Sequence, residues 1–122
     1  MAKRVLLIED EPNIIQAIRF ILSRDGWEVV SHSDGNTAVA EVLKRDPDVV
    51  ILDVMLPNKS GFEILQDLRA DETTKDLPVL MLTARGQNRD RELATRYGAS
   101  RFMTKPFANS EILSTVQELA GA

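Results

Sequence analysis

"DPDVVILDVMLPNKSG", residues 46–61, decides the fold. Residues 49–52 are four apolar side chains in a row, without the polar alternation of a strand that keeps one wet face. Such a run predicts a strand covered on both faces, as in a parallel sheet. It stops at a single carboxylate, Asp53. Val54, Met55 and Leu56 follow, and then Pro57, Asn58 and Gly61, which favour turns. Ser60 and Glu63 stand three apart in the pattern of a capping box. A helix is therefore predicted from there to about residue 70, with Phe62, Leu65 and Leu68 on its apolar face.

The same unit recurs in both directions. Residues 5–8 are another unbroken apolar run, stopped by Glu9, Asp10, Glu11 and Pro12. Ile14, Ile15, Ile18, Ile21 and Leu22 then mark one face of a helix, with Gly26 just past its end. Residues 27–32 read as a shorter, more polar edge strand. Asp34-Gly35 opens a second helix marked by Ala38, Val39, Val42 and Leu43. Residues 77–84 form the third clearly buried strand. The polar stretch 87–97 offers only Leu93, Ala94 and Tyr97 to a core, so a short, weakly anchored helix is expected, ending at Gly98. Residues 101–104 make a brief strand before Lys105-Pro106, and Ile112, Leu113, Val116 and Leu119 mark the last helix.

Five βα units in series predict an α/β domain: a doubly wound, five-stranded parallel sheet. The most apolar strands, the first, third and fourth, belong in the centre. The order 2-1-3-4-5 follows, a flavodoxin-like (βα)5 three-layer sandwich. In such sheets ligands bind beyond the carboxyl ends of the strands where the order reverses, here between strands 1 and 3.

The totals agree with one domain over residues 1–122. The chain has 122 residues, a net charge of -4 and no cysteine. The length suits one core. The charge gives no general reason to bind nucleic acid or an anionic membrane. Disulfides and thiolate metal sites are excluded. No apolar run approaches the roughly 20 residues of a membrane span, and the five-residue apolar start ends in acids, unlike a signal peptide. A cytoplasmic protein is the expectation.

The switch-point rule gathers Glu9 and Asp10 after strand 1, Asp53 after strand 3, Thr83 after strand 4 and Lys105 after strand 5. Three clustered carboxylates repel, by about 4 kcal/mol for two charges 4 Å apart at an effective dielectric near 20. They must take up protons, a cation or a lysine. Mg2+ suits such oxygen ligands. An acidic metal cradle with a protruding aspartate, a hydroxyl and a lysine fits phosphoryl chemistry with the aspartate as nucleophile.

"LLIEDEP", "VVILDVMLPNKSG", "VLMLTA" and "FMTKPF" together resemble the receiver domain of two-component response regulators, over essentially all 122 residues. The resemblance implies Asp53 as phosphoacceptor, with Mg2+ (or Mn2+ in its place) held by Asp10, by Asp53, by the backbone carbonyl of Met55, and by Glu9 directly or through water. It implies Thr83 and Lys105 on phosphoryl oxygens, Thr83 and Phe102 as the switch pair, and a cis peptide at Lys105-Pro106. Implied partners are a histidine kinase or histidine phosphotransfer protein and a downstream protein target, with no direct nucleic acid or membrane contact by this domain. The chain departs from the family in two places. The first acid is Glu9, where aspartate is usual. The stretch "GASRFMTKPF" and the final helix lack the familiar dimer charges, which implies a monomer or a weak phosphorylation-dependent dimer. Met55 and Arg85, two residues beyond Asp53 and Thr83, are expected to shield the acyl phosphate from water.

Other readings compete. A phosphatase with an aspartate nucleophile needs an acid two residues later, where this chain has Met55. A binding module that never accepts phosphate would not need the full set of residues present. His32, the lone histidine, is expected to be structural, and Phe107 to be core. A stand-alone receiver is favoured over the N-terminal receiver fragment of a DNA-binding transcriptional regulator.

Overall fold

The computed structural model describes residues 3–84 and 88–121. Five strands, β1 (Arg4–Ile8), β2 (Glu28–His32), β3 (Val49–Asp53), β4 (Val79–Thr83) and β5 (Arg101–Thr104), form one parallel sheet in the order β2-β1-β3-β4-β5. The helices are α1 (Pro12–Arg24), α2 (Ala38–Arg45), α3 (Gly61–Ala70), α4 (Asn88–Arg96) and α5 (Asn109–Leu119). The predicted topology, the central place of strands 1, 3 and 4 and the edge place of strand 2 all hold.

The unbroken apolar runs have a plain cause. Every residue of β3 and β4 is buried, because successive side chains enter different cores on the two faces. Val5, Leu7, Val49, Ile51, Leu80 and Leu82 join the core beneath α1 and α5, with Ile18, Leu22, Trp27, Ile112 and Val116. Leu6, Ile8, Val50, Leu52, Val79 and Met81 join the other, with Ala38, Val42, Ile64, Leu65 and Leu68. β2 carries no fully buried residue, as an edge strand should.

Local details depart from the expected pattern at three points. Leu43 is half exposed rather than on a packed face, because α2 has only eight residues and seats Ala38 and Val42. Phe62 is only half-buried, and Ile64 takes the core position beside Leu65 and Leu68. It meets Tyr97 instead, with ring centroids 6.0 Å apart. The start of α3 is half of a capping box: Ser60 Oγ accepts from the Glu63 N–H at 3.3 Å. The reciprocal contact occurs on α5, where Glu111 Oε1 accepts from the Ala108 N–H at 3.4 Å.

Candidate functional site

Register places the carboxyl ends of the strands along one edge. Ile8 lies opposite Leu52, Asp53 opposite Leu82, and Thr83 opposite Thr104. Glu9, Asp53, Thr83 and Lys105 therefore converge from four strands, although they span most of the chain. Among the described residues, Glu9, Asp10 and Asp53 form a group whose carboxylate oxygens lie within 4.8 Å of one another. Glu9, Asp53 and Thr83 are buried, and Asp10 is exposed at the rim.

Lys105 bridges the two buried acids. Its Nζ is 2.8 Å from Glu9 Oε1, 3.4 Å from Asp53 Oδ1 and 3.7 Å from Glu11 Oε2. The contact with Glu9 is a charge pairing: Oε1 is fully buried and has no hydrogen bond of good geometry. The other oxygen, Oε2, accepts from the N–H groups of Asp10 and Glu11 at 3.1 and 3.2 Å, where the chain enters α1. The longer arm of Glu9 thus lets one carboxylate stabilise a helix entrance and face the lysine at once.

Burial and the negative charge of Glu9 push the Asp53 carboxyl up to about 7. Lys105 and the Met55 N–H oppose this but do not offset it. Burial also works against the charge on Lys105, but Glu9, Asp53 and Glu11 outweigh it and hold its pKa above the ordinary lysine value. One lysine therefore does not neutralise the pocket, and a second cation would be well placed there. The donor set fits a hard divalent ion: clustered carboxylates, two of them buried, and an exposed acid on the open side.

A loop leads from Asp53 into α3. Met55 is 60% exposed at its start. Gly61 N–H bonds Val54 O at 2.9 Å and closes its base. Any Cβ on Gly61 would strike the Asp53 carbonyl oxygen, so only glycine lets α3 begin this close to Asp53. The peptide bond at Lys105-Pro106 is cis. Phe102 is half-buried, lies opposite Met81 in the sheet, and carries Arg91 over its ring, 5.1 Å from the guanidinium carbon. Arg85 lies outside the described residues. His32 bonds Thr37 Oγ1 at 2.7 Å, and Phe107 packs against the core beneath α1 and α5.

Of the predicted site residues, Glu9, Asp10, Asp53 and Lys105 come together directly, and Thr83 borders them on the next strand. Glu11 was missed. The sequence marks it only as a strand stop, and its place two residues after Glu9 is the signal that sets it beside Lys105.

The family model for the response regulator receiver domain matches residues 5–117. The chain belongs to that family. It is a phosphoacceptor signalling module of two-component systems. Modules of this kind take phosphoryl groups from histidine kinases and act on output domains. The phosphate regulon transcriptional regulatory protein PhoB of Escherichia coli K12 is 38% identical over 117 residues, covering 96% of this chain and 51% of its own length. This receiver thus spans about half the length of the curated relatives it matches. Chemotaxis protein CheY4 of Vibrio cholerae has the same fold, with a TM-score of 0.89, 32% identity and coverage of 98% and 99% of the two chains. The receiver domain of sensor histidine kinase PA1611 of Pseudomonas aeruginosa, solved with magnesium in its active site cleft, gives a TM-score of 0.91 at 29% identity, with both chains fully covered. Among the described residues no helix of this receiver is long and apolar enough to cross a membrane.

Proposed function

We propose that Asp53 is the phosphoacceptor of this receiver and that Glu9, Asp10, Thr83 and Lys105 serve its chemistry. The observation that carries the reading is the buried Asp53 carboxylate, within reach of two further carboxylates and 3.4 Å from a lysine amine. One Asp53 oxygen forms the new bond to phosphorus while the bond from phosphorus to the donor's histidine nitrogen breaks. The histidine keeps the electron pair. Asp10, Asp53 and the Met55 carbonyl would hold Mg2+, or Mn2+, with Glu9 adding a direct or water-mediated contact. When bound, the ion supplies positive charge to the phosphoryl oxygens. Lys105 leaves its position between Glu9 and Asp53 to pair with one phosphoryl oxygen, and the Thr83 hydroxyl donates to another.

Drawing Thr83 toward the phosphoryl group opens space that Phe102 enters, breaking its contact with Arg91. That change biases the face formed by β5, α4 and α5 between two states. The partners are a histidine kinase or histidine phosphotransfer protein on the input side and a protein target on the output side, in the cytoplasm. The cycle ends when water hydrolyses the acyl phosphate at the same site.

A second reading, the N-terminal receiver of a DNA-binding regulator, is favoured by the PhoB relatives, of which this chain spans half. In that case an attached domain contacts DNA and the receiver does not.

A calorimetric Mg2+ titration tests the site. Wild type should bind, and Asp10→Asn should bind about tenfold more weakly, because a charged oxygen ligand is gone. Equal affinities would contradict the metal assignment. The exposed Met55 side chain follows Asp53 by two residues and is assigned to shielding the phosphoryl group. Met55→Asn should hydrolyse its acyl phosphate faster than wild type, and an unchanged lifetime would remove Met55 from that role.

A further inference from the structure

The Asp34-Gly35 pair opens a single 3₁₀ turn, Gly35–Thr37, before α2, and nothing in the phosphoryl chemistry uses it. Its contacts point across to the loop after β3. Gly35 N–H bonds Pro57 O at 3.2 Å. Asp34 Oδ1 accepts from Asn58 Nδ2 at 3.1 Å and from the Asn36 N–H at 2.9 Å. Asn58 sits at φ 73, a left-handed conformation that asparagine tolerates better than most residues. The contact leaves no space: a Cβ on Gly35 would lie 2.5 Å from Lys59 O and 2.9 Å from Pro57 O.

The loop between Asp53 and α3 is therefore pinned twice. Gly61 N–H to Val54 O closes its base, and the 34–36 turn holds its apex at 57–59. On the outgoing arm, only Met55 and Leu56 lie between Val54 and Pro57. Their backbone is set by where the pins stand, and so is the direction of the Met55 carbonyl.

We propose that Asp34 and Gly35 are positioning residues for the metal site: they set the apex of the loop that aims the Met55 carbonyl. This rests on the reading of Met55 as a backbone ligand. It makes the loop after β2 a part of the metal site, although none of its residues belongs to the carboxylate group of Glu9, Asp10 and Asp53.

The test is Mg2+ affinity by calorimetry, paired with melting temperature, on the intact chain. Asn58→Ala removes one side-chain hydrogen bond and should weaken Mg2+ binding about threefold to tenfold. Gly35→Ala displaces the 57–59 backbone and should cost about tenfold to a hundredfold, as loss of a supporting contact does at other metal sites. The double swap Asp34→Asn with Asn58→Asp keeps a hydrogen bond between the two positions and should recover most of the affinity lost in Asn58→Ala. Gly26→Ala is the control. Gly26 has φ +89 with open space around it, after α1 at the far end of the sheet. That variant should lose stability and keep its Mg2+ affinity.

Unchanged Mg2+ affinity in folded Gly35→Ala and Asn58→Ala would overturn the proposal. So would an equal weakening in Gly26→Ala, which would reduce the effect to general stability. If Gly35→Ala does not fold, Asn58→Ala and the swap decide by the same criteria. A wild type that binds no Mg2+ would sink the metal-site reading itself and this proposal with it, and the wild-type titration alone tells that failure apart.

Discussion

Lys105→Met should lower the stability of the metal-free protein at pH 7–8 by about 2–4 kcal/mol, the scale of breaking a buried ion pair from one side. At this chain length that is a fall in melting temperature of roughly 10 °C. The lysine is 10% exposed and lies 2.8 Å from one buried carboxylate and 3.4 Å from another. Methionine keeps the packing of the stem and removes the charge, so the loss reports electrostatics. The sign of the pH dependence follows from the direction of the shift. The raised lysine pKa means that its stabilising contribution is complete below the ordinary lysine value and is lost as pH rises through the folded value. The deficit of the variant should therefore persist across neutral pH. It should shrink toward pH 5, where Asp53 takes up a proton and needs the lysine less. Urea denaturation in EDTA at pH 5 and pH 8 measures both. A variant as stable as wild type at pH 8 would mean that the lysine does not offset the acids.

Asp53→Asn should act in the opposite direction. Folding raises the Asp53 pKa to about 7, so the folded state holds its proton more tightly than the unfolded chain does. Between about pH 4 and pH 7 the wild type loses stability as pH rises, because the site resists ionisation. The amide is neutral throughout. Near pH 4 the variant should match wild type, and at pH 8 without metal it should be more stable by up to about 4 kcal/mol. Added Mg2+ should stabilise wild type and narrow that gap. A variant less stable than wild type at pH 8 would contradict the account of a strained acidic pocket. The clustered carboxylates that suit a cation are the same groups whose burial and mutual repulsion oppose ionisation of Asp53.

The fold was legible because its strongest signals do not depend on tertiary detail. Residues 49–52 and the core of 77–84 are apolar without alternation, and only a strand with two cores needs that pattern. Polar residues at or just past the ends of parallel strands fall on one edge of the sheet, so the sequence alone gathers Glu9, Asp53, Thr83 and Lys105. Side-chain direction and loop packing were not legible. Neither the pairing of Lys105 with Glu9 nor the bonds from Glu9 Oε2 into the entrance of α1 has a pattern in the chain, because each depends on rotamers and a turn of backbone. Leu43 and Phe62 misled for a related reason. Periodicity marks a helical face, but which residue on it is covered depends on the length and angle of the neighbouring element. The Asp34-Gly35 turn was visible as a turn, and its partner at 57–59 was not, because the contact crosses from one βα unit to the next.

The central claim is that Asp53 carries the phosphoryl group. The most direct measurement is labelling with a radioactive low-molecular-weight acyl phosphate in Mg2+, followed by hydroxylamine, which cleaves acyl phosphates. Wild type should take up label that hydroxylamine removes, and Asp53→Asn, folded and at least as stable, should take up none. Equal hydroxylamine-sensitive label on both proteins would place the phosphoryl group elsewhere and contradict the account.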